Sequence, residues 1–578
     1  MKLTLSWLRD FVAVPDMEPS ELVDVFESLG HEVEAWKVLQ PQFRDVVVGR
    51  VLEVRPHPNA DKVRLTRVDV GTEELEIICG AWNFEAGAVV PVAVPGAVLG
   101  EDFTITRREI RGIASHGMIC SEVELGLGQE SDGIMVLNGD YPSAGDHLGE
   151  PFAPVVGLPD VWFEINVTPN RPDCLSVYGL ARDLAAYFEL PLRDHGIEVA
   201  ASGPPSAMSV TIDVPGMNPR FAGREVRGIT VGPSPHWLRL RLEQAGVRAI
   251  SNIVDASNYA MIEFGHPTHA FDVDRLGTTI VTRMAHEGET IVTLDDQERA
   301  LSTADIVVTD GADVVAIGGV MGGASTEVHE GSNDIFIEAA YWDPPSVLMT
   351  SKRLNLRSEA SARFERGADP AFCLLAADRV AQLLEVIAGG VPAPGPVDVD
   401  PGSIAPWTIR YPLCETQRIL GITLGTAETT RLLSRLGFEV RGTDPLEVTV
   451  PTRRPDVRRP VDLVEEIARL HGFDGIPDSV PQGPGHGLPM RERRLRAIRD
   501  IVVGAGFHEA LSFSFIGTAD LDRLGYPEGH EQRSGIAVVN PLNDAESVMR
   551  TTLIPGILKG AAINMSRRMA SVRLFEFG

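Results

Sequence analysis

Short runs of alternating apolar and polar residues carry the first third of the chain. Val46 and Val48, Val51 and Val54, then Val63, Leu65, Val68 and Val70 are separated by His-Pro, Asn-Ala-Asp and Gly breaks. A period of two bounded by turn residues predicts strands, and this many short strands predict a small β-barrel over 41–150, with an oligonucleotide-binding barrel the natural candidate. Ahead of it, Trp7, Leu8, Phe11 and Val12 recur at helical spacing, and Ser20 opens a second helix through Leu22, Val23, Phe26 and Leu29 that Gly30 stops. Behind it, Glu164 to Leu192 reads as a strand, a Pro-bounded turn and an amphipathic helix. That stretch is expected to pack back on the first element, making one α/β element of 1–40 plus 151–200 with the barrel inserted in it.

Pro and Gly punctuate the remainder. Ala201 to Ser206 opens a mixed α/β region over 207–390, and the long Gly389 to Pro406 spacer closes it. Residues 407–475 predict a compact unit: a helix around Leu432, Leu433 and Leu436, strands at Phe438/Val440 and Val448/Val450, and a helix from Asp462 to Leu470 closed by Gly472. A third spacer, Gly475 to Pro489, leads to a last region over 490–578, whose helix 491–503 is expected to bury Leu495, Ile498, Ile501 and Val502. The chain is therefore multidomain α+β.

Composition narrows the partners. A formal charge of −29 argues against general affinity for polyanions, because that affinity depends on Lys and Arg neutralising phosphates. Any RNA contact must be local. Residues 44–70 hold six basic against four acidic residues, and Met490 to Arg499 hold five Arg against one Glu, although a solvated charged face explains either patch equally well. Five scattered cysteines without a C-x-x-C pair indicate small buried residues rather than a disulfide frame or a zinc ribbon. No run approaches the ~18 apolar residues of a membrane span, and the N-terminus carries charge inside its apolar run, so a cytoplasmic location is expected, with neither membrane nor DNA as partner.

Candidate chemistry clusters in two places. Ser251 to Leu276, Ala316 to Thr326, Ile335 to Pro344 and Arg357 to Pro370 place polar groups near glycines, which let a ligand approach the backbone. His266-Pro-Thr-His269 with Asp272 lacks a second ligand cluster, so spacing alone favours a capped loop and a satisfied histidine over a metal site. Asp462, Glu465 and Glu466 stand at i, i+3 and i+4, with Asp456 just upstream. Such crowding of carboxylates needs an offsetting cation or helix N-terminus. Asp462 with Glu465 has the form of a capping box, while four oxygen donors suit Mg²⁺; the two readings are compatible.

These blocks, together with the words GRVLEVRPHPNADKVRLTRVDVG, CGAWN and REIRGIASHGMICSEVELGLG between Val48 and Gly128, resemble in content and order the bacterial phenylalanine–tRNA ligase β subunits, across essentially the whole chain. The resemblance implies a tRNA-binding barrel at 41–150 and an editing domain at 207–390 that hydrolyses tyrosine wrongly joined to tRNA(Phe). It implies a small winged or helix-turn-helix-like domain at 407–475, and at 490–578 part of a catalytically silent class II synthetase fold, in which Arg550 and Glu576 echo an ATP-binding motif. By position, Glu338 would accept a hydrogen bond from the tyrosine phenol, and Gly319 and Gly323 would leave room for the ring. His269, Ser257 and Asn258 would meet the aminoacyl ester and the 3′ adenosine, and Ser358 and Ala360 would line the pocket. Ser257 and Ser358 stand where the family often has Thr. With no Ser-His-Asp arrangement evident, the hydrolysis would use a positioned water.

The same resemblance names Asp456, Asp462, Glu465 and Glu466 as a Mg²⁺ site at the contact with the catalytic subunit. It implies an α2β2 heterotetramer in which the α subunit binds ATP and phenylalanine, and it leads us to expect further family sequence, including an anticodon-binding module, beyond Gly578. A free-standing deacylase, or a tRNA-binding scaffold with an inert pocket, are the alternative readings. Partner co-purification, ATP-dependent charging and Tyr-tRNA hydrolysis separate the three.

Overall fold

The computed structural model describes all residues except 130, 402, 403, 481, 482, 484 and 486. Parts of the second and third Pro/Gly spacers fall on these positions and lie outside the described residues. The chain divides into two compact units, Met1–Pro477 and Asp478–Gly578.

In the first unit, the returning strand Asp160–Asn166 lies between Lys2–Thr4 and Glu32–Leu39, antiparallel to both. The chain thus leaves this sheet near residue 40 and re-enters it near 160. Trp7, Phe11, Phe26, Phe163, Leu180 and Leu184 share one core, which also takes in Tyr259, stacked on Trp7 with ring centroids 4.8 Å apart. Burying aromatic side chains of this size is the main local driving force.

The excursion is an antiparallel sheet in the order Met118–Ile119, Val89–Leu99, Phe43–His57, Ala60–Asp69, Glu74–Cys79. Three register shifts break the ladders of the long strand Phe43–His57, after Arg44, Val51 and Pro56. Bulges of this kind bend and twist a strand, and here the strand serves two cores, Phe43, Val46 and Val48 in one and Val51 in the other. Strand parity corrects one expectation. Val68 and Val70 are buried, so Thr66 and Arg64 share their face while Val63 and Leu65 are only half-buried. The buried Arg64 guanidinium donates from one terminal nitrogen to the carbonyls of Ala81 and Phe84, at 3.0 and 2.9 Å, and lies over the Trp82 and Phe84 rings, while its Nε has no partner.

From residue 209 two sheets pack face to face. One runs Ser209–Ile212, Thr279–Met284, Ile306–Thr309, Val314–Ile317, Met321–Gly322; the other is His269–Asp272, Ile335–Tyr341, Arg220–Arg227, Val391–Pro392. Phe221, Phe271, Val307, Ile317, Phe336 and Trp342 fill the core they share. Residues 407–475 form a three-stranded antiparallel sheet (Trp407–Tyr411, Leu446–Val450, Glu439–Gly442) covered by helices Thr426–Arg435 and Pro460–His471, with Tyr411, Leu433, Phe438, Val448, Leu463 and Ile467 inside.

A chain of buried ion pairs ties this last region to the N-terminal element. Asp183, on helix Val177–Phe188, accepts from His31, Arg171 and Arg469 at 2.9, 3.0 and 2.9 Å. Arg469 bonds Glu466, which also accepts from both terminal nitrogens of Arg454 at 2.7 Å each. Burial works against the Asp183 and Glu466 charges, but the surrounding guanidinium groups overcome it and hold both carboxyls well below the usual range. His31, Cys174 and Asp183 bring their donor atoms within 4.8 Å of one another. Two of these atoms already accept from Arg171, so fixed cations occupy the place a metal would take.

In the second unit, helix Met490–Gly504 buries none of its residues, and Ile498 and Ile501 are 45% and 71% exposed. The expected apolar stripe finds no covering layer within its own unit among the described residues. The predicted burial of cysteines holds for Cys79, Cys120, Cys174 and Cys373, while Cys414, at the start of a short surface helix, is exposed.

Asp183→Ala should take from Arg171 and Arg469 the carboxylate they share, leaving each with one partner, Asp173 and Glu466 respectively, and lower stability by about 3 kcal/mol. Because the folded carboxyl titrates below its ordinary value, this contribution is present at neutral pH and fades as pH falls through the carboxylate range. A urea-unfolding series at pH 7 reads the effect, and a loss under ~1 kcal/mol would mean the pairs do not clamp the two elements.

Candidate functional site

Strand register sets the site. His269 and Glu338 are directly opposed on the antiparallel strands His269–Asp272 and Ile335–Tyr341, so both side chains leave the same face of the sheet. Helix Asn252–Phe264 adds Ser257, Asn258 and Met261, and the turn Gly319–Gly322 closes another side. The start of helix Glu359–Phe364 adds Ser358, Glu359 and Ala360, and together these residues line a cavity of about 250 Å³. This is smaller than the ~300–1,000 Å³ of drug-sized ligand sites, so it suits a small group. Trp342, Ile317 and Phe364 supply much of its apolar wall.

Polar atoms in this wall are buried and unanswered. Ser257 Oγ, Thr268 Oγ1, His269 Nε2 and Glu338 Oε2 have no hydrogen-bond partner, and all four belong to residues around this one cavity. Each such group costs ~1–3 kcal/mol in a finished protein interior, so four of them around one cavity make it the candidate site. Burial, with no cation nearby, pushes the Glu338 carboxyl from an ordinary 4.5 to about 8. The same cause takes His269 from 6.5 down to about 4. Both side chains are therefore neutral at pH 7. As a carboxylic acid, Glu338 can donate one hydrogen bond and accept others.

The glycines divide differently from expectation. Gly319 lines the cavity at φ +69°, and a Cβ there would come within 2.9 Å of Trp342 and Val347. Gly323 does not reach the cavity; its amide bonds the Val315 carbonyl and a Cβ would strike that oxygen at 2.6 Å, so its role is to let two strands approach. The glycine that makes room in the site is Gly322, where a Cβ would stand 2.4 Å from the His269 ring. Ser358 lines the cavity, but its hydroxyl is committed, capping the helix by accepting from the Ser361 amide and donating to the Val320 carbonyl. The Asn258 side chain makes no hydrogen bond among the described residues. His266 is buried against Phe364 away from the cavity wall, and the expected satisfied histidine is corrected at both positions, since neither ring nitrogen of His266 nor Nε2 of His269 has a hydrogen-bond partner. Thr268 was hidden between two histidines that drew attention to metal binding, and Gly322 beside Gly323.

The four carboxylates do not assemble into a Mg²⁺ donor set. Asp456 is held by Arg454 at 2.9 and 2.8 Å, and Glu466 is enclosed by Arg454 and Arg469. Helix Pro460–His471 begins two residues earlier than expected, so Asp462 lies inside its first turn and reaches back to the amides of Arg458 and Arg459 rather than forming the N-cap itself. Glu465 is exposed while neighbouring Glu466 is buried. No three of the four bring oxygens within 4.8 Å of one another. The residues present do not fit the ion.

Family models match four stretches in turn: a "Putative tRNA binding domain" at 46–146, a "B3/4 domain" at 217–389, a "tRNA synthetase B5 domain" at 409–473 and a "Phenylalanyl tRNA synthetase beta chain CLM domain" at 476–578. The cavity lies within the second. Phenylalanine–tRNA ligase β subunits from Geobacter sulfurreducens and Geobacter metallireducens are 45% and 44% identical over all of this chain and 72% of their own length. A solved N-terminal fragment of the phenylalanyl-tRNA synthetase β subunit from Pyrococcus horikoshii aligns over 54% of this chain and 88% of its own, at 16% identity and a TM-score of 0.30.

Because the folded Glu338 carboxyl holds its proton up to about pH 8 while the unfolded one ionises near 4.5, its burial costs nothing below pH 4.5 and progressively more up to pH 8. Glu338→Gln keeps the shape and removes the titration, so relative to wild type it should gain roughly 3 kcal/mol between pH 5 and 8, at ~1.4 kcal/mol per unit. Parallel stability curves for the two proteins would contradict the burial argument.

Proposed function

The chain belongs to the phenylalanine–tRNA ligase β-subunit family, an aminoacyl-tRNA synthetase family, and from that premise we propose that its cavity proofreads tRNA(Phe) by hydrolysing tyrosine attached in error. The observation that carries this reading is the set of buried, unanswered polar atoms on Ser257, Thr268, His269 and Glu338 around one small cavity beside the apolar wall of Trp342, Ile317 and Phe364.

The need for such a pocket is physical. A hydrophobic synthetic site rejects a ligand with one added hydroxyl by only ~10², whereas a site built to hydrogen-bond that hydroxyl rejects the ligand lacking it by ~10⁴–10⁵. Neutral Glu338 suits the second task. A phenol both donates and accepts, and a protonated carboxyl can answer both roles; phenylalanine would enter the same cavity and leave Glu338 unpaired. Trp342 and Ile317 would pack on the ring. Gly319 keeps the turn beside it tight, and Ala360 keeps the near side small. His269, Ser257 and Asn258 would hold the ester and the terminal adenosine, with the water supplied from the cavity rather than from a covalent intermediate.

Other parts of the chain support the remaining roles we assign. Residues 41–150 would be an oligonucleotide-binding barrel that grips tRNA, with the exposed Arg107, Arg108 and Arg111 at the separate hairpin Arg108–Ser115 offering local positive charge despite the acidic whole. Residues 407–475 would be the small helix-strand domain. The unit 478–578 would be the synthetase-like part that pairs with an α subunit carrying ATP and phenylalanine in an α2β2 cytoplasmic enzyme. Within it, Arg550 and Glu576 are bonded to each other at 2.6 Å, which commits both to local structure.

The α–β enzyme carrying Glu338→Ala should charge tRNA(Phe) with phenylalanine at the wild-type rate and lose hydrolysis of preformed Tyr-tRNA(Phe) by at least about 10²-fold, the size of losing one discriminating contact. Hydrolysis at the wild-type rate would remove Glu338 from the reading, and a wild-type enzyme unable to hydrolyse Tyr-tRNA(Phe) would remove the pocket's proposed role.

A further inference from the structure

Thr268 is the one member of the unanswered set with no role in the reading above. It precedes His269 directly, it lines the same cavity, and its hydroxyl is buried without a partner, as is Nε2 of its neighbour. The fold gives this hydroxyl nothing to do. It caps no helix, and no carbonyl receives its proton, in contrast to Ser358, which does both. A valine would fill the same volume without the ~1–3 kcal/mol cost of an orphaned hydroxyl.

We propose that Thr268 is a positioning residue whose hydroxyl, together with His269 Nε2, holds the water that attacks the aminoacyl ester. This rests on the reading of the cavity as a proofreading pocket. A site-bound water needs two to four polar partners in a space large enough to hold it, and two adjacent residues with one unanswered polar atom each supply the minimum. The chemistry of the pair suits the task. His269 is uncharged at pH 7 and so offers a lone pair or an N–H according to tautomer, and a threonine hydroxyl both donates and accepts. Between them the water can be oriented with a lone pair directed at the carbonyl carbon.

In the step, the water oxygen bonds to the ester carbonyl carbon and the bond from that carbon to the ribose oxygen breaks. One water proton ends on the ribose hydroxyl, and the other leaves with the carboxylic acid and passes to solvent. The products are tyrosine carboxylate and uncharged tRNA. No oxidant, metal or covalent enzyme intermediate is required.

The test uses the α–β enzyme and preformed Tyr-tRNA(Phe), comparing wild type, Thr268→Val and Thr268→Ser. Misplacing a reacting group by about an ångström costs on the order of 10²-fold. Thr268→Val should therefore lower the deacylation kcat by roughly that factor with KM unchanged, and Thr268→Ser, which keeps the hydroxyl, should restore most of the rate. Thr268→Val should melt no lower than wild type, since the lost hydroxyl bonds nothing in the fold; this separates a lost water from a damaged fold. An unchanged kcat in Thr268→Val, a change confined to KM, or a Ser variant as slow as the Val variant would each overturn the assignment while leaving the pocket's function standing. Absence of hydrolysis in wild type would overturn both.

Discussion

Burial of Glu338 and His269 side by side, with no counter-charge to either, is the constraint on which the site depends. Their cross-strand register aims both into one cavity, and the apolar wall of Trp342, Ile317 and Phe364 withholds the solvent that would let them ionise. The result is that these two groups are neutral hydrogen-bonding groups at pH 7, while Glu359, which also lines the cavity, pairs with Arg363 and titrates below the ordinary carboxylate value. A charged carboxylate there would favour cations. A neutral one selects a hydroxyl by geometry.

Elsewhere in the same chain, similar burial has the opposite outcome. Asp183 and Glu466 are as deeply enclosed as Glu338, yet they sit among Arg171, Arg454 and Arg469 and remain ionised far below the ordinary carboxylate range. What separates a structural carboxylate from a ligand-reading one is thus whether guanidinium groups were folded in beside it. The ion pairs fasten residues 407–475 to the N-terminal element. Because they consume Glu466 and Asp456, they also explain why a carboxylate-rich word in the sequence presents no assembled donor set in the fold.

Local patterns were legible where one element decides them. Helical spacing around Trp7 and Phe26, the Pro/Gly spacers and the short strands of residues 44–70 all depend on neighbours within a few residues. The resemblance also pointed to Ser257, Asn258, His269, Gly319, Glu338, Ser358 and Ala360, which the fold brings around one cavity. What sequence could not carry is register and partnership. The pairing of His269 with Glu338 spans nearly seventy residues, and it is Gly322 rather than Gly323 that faces the imidazole because a strand presents alternate residues to opposite sides. The carboxylate face failed for a similar reason: Pro460 opens its helix early, and Glu465 and Glu466, adjacent in sequence, lie about 100° apart around the axis, one in water and one among arginines. The stripe from Leu495 to Val502 is a sound helical pattern whose covering layer is absent from its own unit among the described residues.

The central claim is that a neutral carboxyl at Glu338 reads a phenolic hydroxyl, and infrared difference spectroscopy of the α–β enzyme tests it most directly. A protonated-carboxyl carbonyl band should be present at pH 7, titrate away near pH 8, vanish in Glu338→Gln, and shift when L-tyrosine, but not L-phenylalanine, is added. A band that titrates near pH 4.5, or that shifts equally with both amino acids, would contradict the account.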